Sequence, residues 1–267
     1  MTIQVLISTM NQKDYSLLDR MNIQSDAIVV NQCDVNEIVE FKYKEHNIKW
    51  ISLAERGIGL SRNTALMRAT ADIVLFADDD VVYCDDYPQI VCSEFLRYSR
   101  ADFFTFNLES LNVKRPEHLD KKNHRLHWYN SLRYGAFRFC IRRVAALKNN
   151  LFFSLLFGGG ACHQAGEDNL FITQSLKRGL NVRASCKTIG SVAQKESTWF
   201  NGYNERYCFD RGYLFANMFG WKAKPLLLFC EIREGNRKSQ LTLLKRLKQE
   251  NKGIRVFRKN ETSIGDI

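Results

Sequence analysis

Ile73-Val74-Leu75-Phe76-Ala77-Asp78-Asp79-Asp80 is the stretch that decides the fold class, because five apolar residues end abruptly in three carboxylates. A short apolar run bounded this way reads as a buried strand. Earlier short runs at 3–7, 27–30 and 49–53 read the same way, and the first two also end in polar residues, Ser8-Thr9 and Asn31-Gln32-Cys33-Asp34. Helical patterns at 15–21 and 60–69 separate them. Strands alternating with helices predict an α/β fold with a mostly parallel central sheet flanked by helices. Such sheets bind ligands beyond the carboxyl ends of their strands, so the polar strand ends are where function is sought.

Further along, a helix is expected over 86–100 and strands over 103–106 and 138–141. Between them, 107–134 is polar and basic, holds His118, His124 and His127, and reads as a long excursion. The stretch 167–178 reads as a helix, with Leu170, Ile172 and Leu176 as its apolar positions. Gly179 sits where a glycine closes a helix. A strand is expected near 188–192, and the aromatic stretch 199–219 reads as largely helical. No boundary is evident before about residue 230, so the organisation expected is a catalytic domain over 1–230 and a basic segment over 231–267.

Charge marks that last segment. The chain of 267 residues carries +10, and 237–259 holds nine basic residues against one acid, Glu250. Within it Ser239 is a candidate N-cap. Leu241, Leu244 and Leu247 share roughly one helical face, with Lys245, Arg246 and Lys248 projecting elsewhere. Two readings stand side by side: contact with an anionic membrane surface through 237–259, or a final helix docked on the core. No nucleic-acid-binding pattern appears, so no nucleic acid is expected as a partner. No uncharged apolar run approaches the roughly 18 residues of a spanning helix. The first residues lack the basic and apolar regions of a signal peptide, which sets the expectation of a cytoplasmic protein, peripheral on the inner membrane face at most. The eight cysteines form no C-x-x-C pair and are expected to be reduced and mostly buried.

The carboxylate triplet carries the chemistry. On an extended segment Asp78 and Asp80 point the same way. Adjacent carboxylates repel unless a cation or donors offset them, and hard oxygens suit Mn²⁺ or Mg²⁺ bridging to a diphosphate. A solvated acidic turn is the plain alternative. Two other motifs frame the triplet: Arg56-Gly57-Ile58-Gly59-Leu60-Ser61-Arg62-Asn63 before it, and Gly166-Glu167-Asp168 opening a helix after it. No P-loop or G-x-G-x-x-G follows a strand.

This order of motifs resembles the family 2 glycosyltransferases of the GT-A fold over roughly residues 1–200. The resemblance implies a donor-binding loop at Ser8-Thr9-Met10-Asn11, with Thr9 and Asn11 on the donor, and a nucleobase contact at Asp34. It matches G-x-x-x-x-R-N to Gly57–Asn63, which implies donor contacts from Arg56 and Arg62. It matches D-x-D to Asp78-Asp79-Asp80, implying donor binding by Asp78 and Asp79 and a metal, Mn²⁺ or Mg²⁺, on Asp80. It matches E-D to Glu167-Asp168, with Asp168 the general base and Glu167 its catalytic neighbour. Plainer readings stand beside these: Arg62 as a surface helix arginine, Asp34 as a turn residue, Glu167 and Asp168 as partners of their helix dipole. Gly158-Gly159-Gly160 is either a flexible loop or a close backbone approach to the sugar. Many GT-A enzymes add a histidine ligand from a loop after the E-D helix, whereas here the last histidine is His163, before it. Gln194, Glu196 or water would have to complete the shell.

The expected function is therefore inverting, hexosyltransferase-like transfer from a nucleotide-sugar donor, a UDP-sugar first, to a saccharide or lipid-linked saccharide in surface polysaccharide synthesis. The alternatives are a nucleotidyltransferase, which would show a basic Gly-rich loop after the first strand, and a degenerate GT-A or basic surface-binding module.

Overall fold

The computed structural model describes residues 1–194, 202–234 and 241–264. Its first strands are β1 (Ile3–Met10), β2 (Asp26–Gln32), β3 (Glu37–Tyr43), β4 (His46–Leu53) and β5 (Ile73–Asp78). Strands β4, β2, β1 and β5 lie side by side, all parallel. Apolar residues on both faces of β1 and β5 are buried, as a parallel sheet covered on both sides requires. The helices α1 (Leu17–Arg20), α2 (Ile58–Arg68) and α3 (Tyr87–Arg97) belong to this half, and the short β6 (Val81–Tyr83) directly follows the carboxylate triplet.

The second half contributes β7 (Phe103–Ser110), β8 (His124–Arg125), β9 (Phe139–Arg142) and β10 (Val182–Val192), with α4 (Arg143–Lys148) and α5 (Glu167–Lys177). The sheet order is β3-β4-β2-β1-β5-β9-β7-β10-β6, with β8 on β10. Antiparallel β9 joins the parallel block to the parallel β7–β10 pair. One apolar cluster covers each face. The carboxyl ends of β1, β2, β4 and β5 open on one edge, and that edge collects the polar strand ends.

Several elements differ from the sequence reading, each for a local reason. The helix expected over 15–21 is a single turn. Asp14 accepts from the backbone and hydroxyl of Ser16, a turn that delays the helix, and Asn22, at φ 52°, ends it. Strand β3 has no counterpart in the sequence reading. It is an edge strand whose Glu37, Glu40 and Lys42 face solvent, and its hairpin turn uses Lys44 at φ 51° where Gly or Asn would have signalled it. The excursion after 107 begins as strand, because β7 runs on to Ser110. Asn107 exchanges hydrogen bonds with the backbone of Asp120, folding the loop back on the strand. No disulfide joins the cysteines among the described residues. Only Cys140 and Cys208 are buried and Cys162 is exposed, so the expectation of mostly buried thiols does not hold.

Among the described residues three further α-helices follow: α6 (Glu205–Phe219), α7 (Ala223–Glu234) and α8 (Leu243–Ile264). Ser239, the expected cap, lies outside the described residues, as do positions 199–201 of the expected aromatic helix. The leucine face expected for this last helix is corrected. Leu244 is 80% exposed, whereas Arg246, Glu250, Ile254 and Phe257 are buried against α6 and α7. Arg246 Nε donates to Glu231, which also accepts from Arg211 at 2.6 Å. A charged residue is buried here because its partners are buried with it. The helices cross closely at two glycines. A Cβ on Gly212 would stand 2.0 Å from the Glu250 carbonyl oxygen, and one on Gly253 would stand 2.1 Å from that of Phe209.

This packing makes a sharp prediction. Gly212→Ala must push two backbones apart, at a cost of about 1–3 kcal/mol, or roughly 3–10 °C in Tm. Leu244→Ala should leave stability within about 0.5 kcal/mol of the parent. Thermal unfolding of the two variants checks both, and the opposite ranking would restore the leucine face.

Candidate active site

Arg62 lies at the centre of the polar edge. Helix α2 delivers it, and 3% of its side chain is exposed. One guanidinium nitrogen donates to Asp78 Oδ1 at 2.9 Å; the other donates to Asp168 Oδ1 at 2.8 Å and to Glu167 Oε1 at 3.2 Å. Its plane lies over the Phe153 ring, 5.1 Å from the centroid. One side chain thus ties the end of β5 to the first turn of α5, whose acids lie more than a hundred residues beyond Arg62 in sequence. The next residue completes the device: Asn63 Nδ2 donates to the Phe153 carbonyl at 2.9 Å, and the Phe153 amide returns a bond to Asn63 Oδ1 at 2.8 Å. The R-N pair therefore has two jobs, one side chain for carboxylates and one for the backbone that leads into the glycine loop.

That loop is a close approach. A Cβ on Gly158, at φ 100°, would fall 2.8 Å from the Glu167 carboxylate and 2.6 Å from Ile58. The Gly159 carbonyl accepts from Ile58 N at 3.0 Å. The loop is thereby wedged between the start of α2 and the acids of α5. Behind those acids, His163 Nδ1 donates to Asp210 Oδ1 of α6 at 2.7 Å, and its ring packs on Tyr213. His163 and Asp210 were not among the expected site residues. They fasten the loop before Glu167 to the C-terminal helices.

Electrostatics follow from this crowding. Burial works against the Arg62 charge, but Asp78, Asp168 and Glu167 together raise its pKa. The Asp168 carboxyl is pushed up to about 7, by burial first and by the Glu167 charge next, with Arg62 pulling the other way. Asp80 is also raised, by burial and then by Asp78 and Asp79. A hydrogen bond from Gln194 N to Asp80 Oδ2 at 3.0 Å opposes that shift.

The donor residues expected from the sequence gather in two smaller groups. Thr9 Oγ1 donates to Asp79 Oδ2 at 2.6 Å, linking the ends of β1 and β5. Arg56 reaches Asp34 at 2.9 Å and the Cys33 carbonyl at 2.6 Å, at the exposed end of β2. Asn11, at φ 54°, ends β1, and its amide donates to the Gln32 carbonyl. Gln32 is a buried residue that the sequence reading passed over. Its side chain accepts from Gly57 N at 2.6 Å, which fixes the loop ahead of α2. Its signal was its place in a strand end already rich in polar residues.

A metal has few ready protein ligands. Among the described residues no three His, Cys, Asp or Glu side chains are grouped to hold an ion. Each acid of the triplet has one carboxylate oxygen bonded to a protein donor: Asp78 to Arg62, Asp79 to Thr9 and Asp80 to the Gln194 amide. Gln194 meets Asp80 through its backbone, while its side chain donates to Glu117. Glu196 lies outside the described residues.

The family model described as glycosyl transferase family 2 matches residues 15–151, just over half of the chain. The chain belongs to glycosyl transferase family 2. No curated protein matches its sequence significantly. Among solved structures, S. aureus TarS 1–349 in complex with UDP-GlcNAc aligns with TM-score 0.67 and 16% identity, over 96% of this chain and 80% of that one. The same TarS fragment in complex with UDP aligns with TM-score 0.62 and 15% identity, over 92% and 77%. The longer TarS structure is covered to 44% by 88% of this chain, with TM-score 0.58 and 16% identity. At these identities the likeness is one of fold: a large, mostly parallel central sheet flanked by helices, as in GT-A enzymes. The protein is accordingly a glycosyltransferase, and the nucleotidyltransferase reading gives way to it.

The hub predicts its own titration. The Asp168 carboxyl signal, followed by carbon NMR against pH, should turn over near 7. Arg62→Gln removes the charge that lowers it, so the midpoint should move to higher pH. A midpoint near 4 in the parent, or no movement in the variant, would contradict the coupling.

Proposed function

We propose that this glycosyltransferase transfers a sugar from a UDP-sugar to a saccharide or lipid-linked saccharide in surface polysaccharide synthesis, with inversion at the anomeric carbon. The observation that carries the reading is the pairing of Arg62 with both Asp78 at the donor end and Asp168 on α5. The complexes of S. aureus TarS 1–349 with UDP-GlcNAc and UDP support the choice of UDP as the nucleotide. In this reading Asp34 and Arg56 meet the nucleobase side, Thr9, Asn11 and Asp79 line the donor loop, and Asp78 meets the nucleoside. Arg62 contributes by holding Asp78 in place.

Asp168 acts as the base. The acceptor hydroxyl oxygen attacks the anomeric carbon, and the hydroxyl proton passes to the Asp168 carboxylate. The bond from that carbon to the diphosphate oxygen breaks, and its electron pair leaves on UDP. A pKa near operating pH suits a group that must both take and release a proton. Glu167 tunes it, since a second carboxylate alongside raises its affinity for that proton.

The residues fit a divalent cation, Mn²⁺ or Mg²⁺, held by Asp80. Burial first, and then the Asp78 and Asp79 charges, raise its pKa, and a cation held there would offset both. One carboxylate, with diphosphate and water for the remaining ligands, is a usual arrangement for Mg²⁺. When bound there the ion would offset the charge that develops on the leaving diphosphate. We place the enzyme in the cytoplasm, where nucleotide sugars are made. Among the described residues no helix is long and apolar enough to cross a membrane.

Asp168→Asn keeps the shape but cannot accept the proton, so kcat should fall roughly 10²- to 10⁴-fold while donor KM changes little. In the parent, log kcat/KM should rise with pH and level off above about 7, as Asp168 loses its proton. Asp80→Ala should abolish Mn²⁺-dependent UDP binding in calorimetry. An Asp168→Asn enzyme of nearly full turnover would remove the base, and unchanged Mn²⁺-dependent binding would remove the metal assignment.

A further inference from the structure

Helix α7 has two unlike faces. Ala223, Leu227 and Glu231 turn inward and are buried. Pro225, Leu228, Phe229 and Ile232, spaced to share the opposite face, turn outward, continuing from Trp221 just ahead of the helix. Trp221 is 76% exposed, Phe229 61% and Ile232 70%. Single exposed apolar residues are ordinary, but a contiguous stripe of this length marks a contact surface.

The stripe runs into an apolar groove of about 870 Å³, lined by Leu126, Leu176, Leu180, Phe219 and Leu226, with Trp128 and Trp221 also in its wall. Trp128 is 54% exposed and Tyr129 beside it 67%. Arg125, Lys177 and Lys222 stand around the groove, and Lys224 and Arg233 flank the stripe, all exposed. Among the described residues no Asp or Glu lines the groove. Glu231 of α7 is turned inward, where Arg211 and Arg246 hold it.

We infer that this face docks on an anionic phospholipid bilayer, with α7 lying in the plane of the interface. The charge decides the occupant. A twofold contact with a second copy would set the same five cations against themselves, in a chain already at +10. An anionic leaflet attracts them instead, while the apolar stripe enters the headgroup boundary. Tryptophans at the rim suit that boundary, with an apolar body and a polar edge. The apolar anchor is α7, and the leucines at 241, 244 and 247 are not required for it. The inference concerns where the molecule sits and is independent of the donor and base assigned above.

The test is vesicle flotation of the full chain. Phosphatidylcholine vesicles with phosphatidylglycerol should carry it at low salt, phosphatidylcholine alone should carry far less, and high salt should release part of it. The double variant Phe229→Asp/Ile232→Asp alters only exposed positions, and its partition should fall about tenfold or more, with Tm and UDP binding unchanged. Lys222→Glu/Arg233→Glu should lose the preference for anionic vesicles. A chain that does not float, or an acidic double variant that floats like the parent, overturns the inference. So does a dimer in light scattering that Phe229→Asp/Ile232→Asp dissociates without any flotation, which would assign the face to a second copy. Loss of UDP binding with flotation intact would count against the proposed donor and leave the docking face standing.

Discussion

A buried arginine shared by three carboxylates is the constraint on which the rest of the site depends. Arg62 comes from α2, Asp78 from the end of β5, and Glu167 and Asp168 from the start of α5. Without the guanidinium, three acids would face one another in a half-buried pocket, and either protons or strand movement would have to relieve them. With it, the acids hold fixed positions around one positive charge. An Arg suits the place because its planar fork satisfies carboxylates on two sides at once, which a Lys ammonium on a flexible stem does less well.

The scaffold around this hub is arranged to keep it rigid. The parallel block sets the ends of β1, β2, β4 and β5 along one edge, so residues distant in sequence meet there. Asn63 locks the backbone at Phe153, and the glycine loop has no room for a side chain between Ile58 and Glu167. From the other side, α6 reaches the same loop through Asp210 and His163, and α8 backs α6 through paired glycines. The C-terminal helices are thus linked mechanically to the acids of α5 through hydrogen bonds and close packing.

Much of this was legible in the sequence, for identifiable reasons. Strong apolar runs ending in charge marked β1, β2 and β5, and three short motifs placed the acids and Arg62 at one edge. What could not be read was partnership. Nothing local says that Arg62 turns to acids more than a hundred residues downstream, or that His163 belongs to Asp210. Strand β3 was hidden because Glu37, Glu40 and Lys42 interrupt its apolar pattern, as charges on an edge strand often do. The last helix was misread because leucine spacing suggested one face, while tertiary packing buried Arg246 and Glu250 and left Leu244 in solvent. Periodicity ranks faces by hydropathy, and a buried ion pair inverts that ranking.

The central claim is that Arg62 and Asp168 act as one unit, which a double-mutant cycle on kcat/KM addresses directly. Arg62→Gln and Asp168→Asn are measured alone and together, at one pH and one donor concentration series. The account predicts strong non-additivity, with a coupling energy of about 1–3 kcal/mol and a double variant hardly worse than Asp168→Asn alone. If the two penalties simply multiplied, Arg62 and Asp168 would be working independently, and the hub would be a structural contact without a part in the base.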